Sequence, residues 1–256
     1  MSAVSAELIQ IIKELQSLTS LEGFSLAGGT NLALRYNHRV SIDIDLIVPK
    51  IIGKNGYEAI ISEVESYYGK DNTTIQLINE EFGDQFLFLR VFITKGDLTV
   101  KVEFLQNMIT LSETEIHEDI RVVSKLDIGL FKLMSASNRL AKKDIYDLAY
   151  ITEEISIIEL YNNLKDKKER YCEPIHRTIF DLDDEVSPID NPELLLEFDS
   201  VASNSNSRPF HSHDRIDLVE GSKSWILART EWRSNVRKLF NHLEKDFPSP
   251  KGIDIR

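Results

Sequence analysis

A single cysteine, Cys172, in 256 residues leaves no partner for an intramolecular disulfide and no second thiol for a zinc cluster. That excludes a small disulfide-stapled scaffold. Long apolar runs are also lacking: no stretch approaches the roughly eighteen uninterrupted apolar residues that a membrane span needs. The first residues carry Glu7 and Lys13 in an amphipathic pattern, not the basic, then apolar, then small-residue order of a signal peptide, so no membrane association and a cytoplasmic location are expected. Positive charge is short as well, with 30 Lys and Arg against 42 Asp and Glu and a formal net charge of −12. The chain as a whole repels nucleic acid, and a polyanionic partner would need a local basic face. What is plentiful is apolar surface, at 42% of residues, enough for one large domain or two modest ones.

The periodicity divides the chain in two. Val4, Leu8, Ile11, Ile12, Leu15 and Leu18 predict an amphipathic helix over the first eighteen or so residues. Phe24 to Ala27 reads as a short buried strand running into the turn Gly28-Gly29-Thr30, with Thr30 placed to cap a helix over Asn31 to Tyr36. Ile42 to Val48 alternates, so Asp43 and Asp45 share one strand face while Ile42, Ile44 and Leu46 fill the other. A helix over Tyr57 to Tyr68 precedes three strands, Thr73 to Ile78, Phe86 to Thr94 and Leu98 to Leu105, the last two joined by a hairpin at Lys95-Gly96-Asp97. From Ser124 the period turns helical, with helices over Leu126 to Leu140, Ile145 to Glu154, Ile157 to Arg170 and a last one on the face of Trp225, Ala228, Trp232, Val236, Leu239 and Leu243. The expected fold is α+β: a mixed β-sheet domain flanked by helices over 1–122, then a mainly helical domain over 123–256 with a flexible loop near 203–208, where Ser203-Asn204-Ser205-Asn206-Ser207 is low in complexity.

Two carboxylates on one strand face repel unless a cation lies between them, and Mg²⁺, or Mn²⁺ in its place, takes carboxylate oxygens and keeps positions open for substrate phosphates. Taken alone, Asp43-Ile44-Asp45 describes a solvated strand face as readily as a metal site. The glycine turn upstream adds a place where backbone N–H groups approach an anion at a helix N-terminus, although Gly28-Gly29 also fits a plain strand-to-helix turn. Glu103 supplies a third acid: alternation puts it with Lys101 on the face opposite Val100, Val102 and Phe104. If its strand lies beside that of Asp43 and Asp45, three carboxylates converge.

This order of a Gly-Gly turn, an acid-x-acid strand and a later single acid resembles the nucleotidyltransferase superfamily related to DNA polymerase β. With its flanks, Leu26-Ala27-Gly28-Gly29-Thr30-Asn31-Leu32 and Arg39-Val40-Ser41-Ile42-Asp43-Ile44-Asp45, the chain is similar to the AbiEii/AbiGii toxin family, whose Arg-x-Ser-x-Asp-x-Asp signature it matches at every position. A further family motif, a helical Lys followed by Arg and then Arg-Asp-x-x-Asp-Leu, falls on Lys132, Arg139 and Lys143-Asp144-Ile145-Tyr146-Asp147-Leu148, with Lys143 where the family has Arg. That exchange keeps the charge and loses the bidentate fork. The resemblance covers roughly residues 24 to 150.

The resemblance implies a nucleotidyltransferase-like sheet, with Asp43, Asp45 and Glu103 as metal ligands and Glu103 also as general base. Gly28, Gly29, Thr30, Arg39, Ser41, Lys132 and Arg139 would bind the nucleotide, and Lys143, Asp144 and Asp147 would support them. Asp144 could equally be the N-cap of its helix, and Lys132 and Arg139 a solvated helix face. The implied protein is the toxin of a toxin–antitoxin or phage-defence system. It would take an NTP, transfer to an RNA such as a tRNA 3′ end, and have a cognate antitoxin. Transfer to a protein or small-molecule hydroxyl, and binding of nucleotide or partner without turnover, remain open. Arg229, Arg233 and Arg237 form a basic stripe on the last helix that fits either an RNA backbone or pairing with the acidic stretch at Asp181, Asp183, Asp184 and Glu185. His211 and His213 lack further ligands nearby for zinc.

Overall fold

A computed structural model describes residues 2–139, 141–182, 184–199 and 215–249. The expected loop at 203–208, the histidines 211 and 213, and Asp183 lie outside the described residues. Contacts divide the chain into two compact units. The first draws on the described parts of Met1–Ile128, Lys167–Glu185 and Ile216–Lys223; the second on those of Gly129–Asp166, Val186–Arg215 and Ser224–Arg256.

In the first unit α1 (Ala6–Ser17) starts where the Ser5 hydroxyl accepts the Leu8 amide at 3.1 Å. Its Leu8, Ile11, Ile12 and Leu15 enter the core with the inner face of one seven-stranded sheet. The strands are β1 (Ser25–Leu26), β2 (Ile44–Ile47), β3 (Thr73–Ile78), β4 (Phe88–Lys95), β5 (Leu98–Leu105), β6 (Glu115–His117) and β7 (Ile120–Val122). Their spatial order is β3-β4-β5-β2-β1-β7-β6, with β2 parallel to β5 and antiparallel to β1. Between them lie α2 (Gly28–Tyr36) and α3 (Gly53–Tyr68). Gln106 opens α3 from a distance, its Oε1 accepting the amides of Ile52 and Gly53 at 2.8 and 2.9 Å. Tyr57 on α3 is fully buried and donates its hydroxyl to the carbonyls of Leu87 and Phe104, tying helix to sheet.

The second unit is helical. It contains most of α4 (Lys125–Asn138), all of α5 (Lys142–Glu154), most of α6 (Ile157–Arg170) and α7 (Trp225–His242). Trp232, buried on α7, donates its indole N–H to the Leu195 carbonyl at 2.9 Å, and Asn235 donates to the Thr152 hydroxyl of α5 at 3.0 Å. None of the described helices is long and apolar enough to cross a membrane.

Two local expectations are corrected, and one element was missed. Helix α2 starts at Gly28, so Thr30 lies within its first turn and is not its cap. Strand β2 starts at Ile44, and Ile42, expected to be buried, is 71% exposed beside the segment that leads in. The β6–β7 hairpin was not anticipated. It turns on Glu118 and Asp119, both at positive φ (50° and 64°), where glycine or asparagine would have signalled the turn.

Candidate active site

The sheet register brings the acids together. Asp45 on β2 pairs with Glu103 on the parallel strand β5, and Ile44 and Leu46 beside it turn into the core. Asp43, two residues earlier, projects beside Lys101, which stands two residues before Glu103. The Lys101 ammonium lies 3.5 Å from Asp43 Oδ2 and 3.7 Å from Glu103 Oε2. From the other side Arg90 of β4, paired with Glu103 across the hairpin, gives both Nε (2.8 Å) and Nη2 (2.6 Å) to Glu103 Oε1.

Gly28 is the hinge between this acidic face and α2. Its φ of +63° suits glycine, and a Cβ there would fall 1.8 Å from Asp45 Oδ2. The Asp45 carboxylate therefore packs directly against the first residue of the helix. Ala27 caps α2 without any side-chain bond, and the first amides of a helix have no partners within it, so this N-terminus is electropositive toward an anion. Gly29 admits a second group by the same close approach: a Cβ would meet Arg39 Nη2 at 2.3 Å and Ser41 Oγ at 3.3 Å. The Thr30 hydroxyl donates to the Asp43 carbonyl and is hydrogen-bonded to the Ser41 hydroxyl at 2.8 Å, which binds the helix to the segment carrying the acids.

That segment is held by remote parts of the unit. The Ser41 amide donates to the Ala3 carbonyl at 2.9 Å, the Val40 amide to Asp217 at 2.8 Å, and Arg39 forms an isolated antiparallel bridge with Leu218. Arg39 is buried despite its charge. Arg39 and Ser41 are motif positions, whereas their support by residues near 3 and 217 carries no sequence signal.

The helical motif assembles separately, in the second unit. Lys132 is buried, its ammonium 2.7 Å from Asp144 Oδ1 and 2.8 Å from Asp147 Oδ2, and Arg139 reaches Asp144 Oδ2 at 3.1 Å. Both acids are buried. The N-cap of α5 is Ala141, which corrects the reading of Asp144 as the cap, and Lys143 is half-buried in the first turn. Burial alone would raise the Asp144 carboxyl, but Arg139 and Lys132 more than offset it and hold it below the usual range. Of the last helix's arginines, Arg237 stacks over the Phe247 ring at 4.5 Å.

No group of three His, Cys, Asp or Glu among the described residues stands close enough to hold a metal as placed. The chemistry of the set nevertheless fits a hard cation. Its donors are carboxylate oxygens, and two of the three carboxylates already share a cation, the Lys101 ammonium. Arg90 was the residue that sequence reasoning missed. The two-residue turn at Gly96-Asp97 fixes it, since Lys95 pairs with Leu98 and counting five residues along each strand sets Arg90 opposite Glu103.

The sequence profile of the nucleotidyl transferase AbiEii toxins, from type IV toxin–antitoxin systems, matches residues 11–248, and the chain belongs to that family. No curated protein matches it. Among solved structures it is similar to a candidate nucleotidyltransferase from H. pylori, 18% identical over 93% of this chain and 94% of that one, TM-score 0.49. It is also similar to MenT4, a nucleotidyltransferase toxin from Mycobacterium tuberculosis, 19% identical over 93% of this chain and 84% of that one, TM-score 0.46.

Proposed function

We propose that this nucleotidyltransferase moves a nucleoside monophosphate from an NTP to an RNA hydroxyl, with a tRNA 3′ end as the favoured acceptor, and that it acts in the cytoplasm with a cognate antitoxin to restrain it. The observation that carries the reading is the register of Asp45 with Glu103, with Asp45 packed on Gly28 at the start of α2. Asp43, Asp45 and Glu103 are the residues that would hold Mg²⁺ or Mn²⁺, which when bound supplies charge to the attacking oxygen and to the leaving pyrophosphate. The amides of Gly28 and Gly29 receive phosphate oxygens, while Arg39 and Ser41 beside Gly29 orient the triphosphate. Arg90 keeps Glu103 Oε1, so Oε2 takes the acceptor hydroxyl's proton. The bond from that oxygen to the α-phosphorus forms as the α–β phosphoanhydride breaks.

Lys132, Arg139, Asp144 and Asp147 serve as a buried cross-link of the helical unit in this reading, with Lys143 supporting its rim. Incubation with a divalent metal, each labelled triphosphate, total tRNA and cell extract tests it. Label on tRNA, lost in Asp43→Ala, is expected. Label on a protein or small molecule moves the acceptor there, a reading favoured by the net charge of −12. Label on nothing leaves a binding module.

A further inference from the structure

Two cations serve the acidic face, and their geometries differ in kind. Arg90 makes two directed bonds of 2.6–2.8 Å to one oxygen of Glu103 from the neighbouring strand. Those are the lengths of charge-assisted hydrogen bonds, and they make Arg90 a fixed partner. Lys101 sits at 3.5 and 3.7 Å from Asp43 and Glu103, beyond hydrogen-bond length to both. Charge holds it there without directed bonds, on a flexible four-carbon stem that is 31% exposed.

We infer that Lys101 is an exchangeable internal cation, which keeps Asp43 and Glu103 neutralised until a divalent metal displaces it and then binds a substrate phosphate. This deepens the proposed function and rests on it. The geometry supports the first half: Glu103 pairs with Asp45 across β2 and β5, Lys101 two residues earlier lies 3.5 Å from Asp43 just before β2, and the ammonium stands between two acids. A doubly charged ion at about 2.0–2.1 Å from the oxygens interacts far more strongly than an ammonium at this distance, so the lysine is the group that yields. The second half follows from placement. An ammonium freed at this spot stays beside Glu103, whose strand partner Asp45 packs on Gly28 at the start of α2, and compact ammonium groups bind an arriving phosphate as point charges.

The test uses the full chain. Manganese affinity is measured by titration calorimetry in the wild type, Lys101→Met and Asp43→Asn, with circular dichroism confirming the fold. We expect Lys101→Met to bind Mn²⁺ about tenfold more tightly and Asp43→Asn to bind it weakly. We also expect KM for the triphosphate at saturating metal to rise in Lys101→Met with little change in kcat. Unchanged or weakened Mn²⁺ binding in Lys101→Met overturns the exchange, and tighter binding with unaltered KM overturns the handover. Should the variant misfold, acylation of Lys101 in the wild type, read by mass spectrometry, decides: Mn²⁺ should raise its labelling, and no rise overturns the idea. Metal binding and labelling are read without turnover, so failure of nucleotidyl transfer itself remains distinguishable.

Discussion

Replacing Gly28 by alanine separates two costs that coincide at this residue. The first is backbone: at φ +63° an L side chain costs about 1–2 kcal/mol. The second is contact, because the new methyl would lie 1.8 Å from Asp45 Oδ2 and one of them must move. Gly96 provides the control, since it has the same φ of +63° with nothing within 4 Å of the added carbon. Gly96→Ala should therefore lose about 1 kcal/mol in urea unfolding and keep full nucleotidyl-transfer activity. Gly28→Ala should lose a further 1–3 kcal/mol or so from overpacking. Its activity should fall by about a hundredfold or more, because a catalytic group displaced by about 1 Å costs that much. Equal stabilities for the two variants, or activity within a few-fold of wild type in Gly28→Ala, would refute the placement of Asp45 against the helix.

Lys132→Met strips the shared cation from two buried carboxylates and should destabilise the chain by about 3–5 kcal/mol in chemical unfolding, with Asp144→Asn and Asp147→Asn added together restoring much of it. Absence of restoration would mean the cost lies in packing and not in charge. Because Asp144 titrates below its unfolded value of about 3.9, its stabilising effect is present at neutral pH and disappears as the pH falls through the lowered folded value. The melting temperatures of Asp144→Asn and wild type should thus differ at pH 7 and approach each other in acid; a constant offset at every pH contradicts the pairing. Thr30→Val keeps the shape and removes the hydroxyl that binds Ser41 and the Asp43 carbonyl, for a loss of about 1 kcal/mol and a lower kcat. A kcat equal to wild type would show that the helix does not steady the acids.

Much of this was legible in the residues, for identifiable reasons. Strands Thr73–Ile78 and Leu98–Leu105 and helix Ile157–Arg170 came out at their observed bounds because alternation or helical spacing is uninterrupted there and turn residues flank them. The short motif strand was overextended: Ile42 fits the alternation, yet residues 41–43 are held by the Ala3 carbonyl and the Thr30 hydroxyl in place of the ladder. The β6–β7 hairpin was invisible because its strands span three residues each and its turn is built from acids. Candidate residues on the motifs were picked out by type. Their partners were not, since Arg90 and the burial of Lys132 depend on register and packing that spacing along one element does not carry.

The bridge between Arg39 and Leu218 sets a condition on any attempt to dissect the chain. Val219 donates to the His38 carbonyl, Asp217 accepts from Val40, and Ala3 accepts from Ser41, so the motif loop is laced from both sides by residues more than thirty and more than one hundred and seventy positions away. A fragment ending at Val122 would retain every acid and both glycines and would lack the strand of chain that holds Arg39 beside them. The geometry of the motif loop is therefore a property of distant segments closing on one another, and deleting residues 216–219 alone should release the loop while leaving the seven-stranded sheet intact.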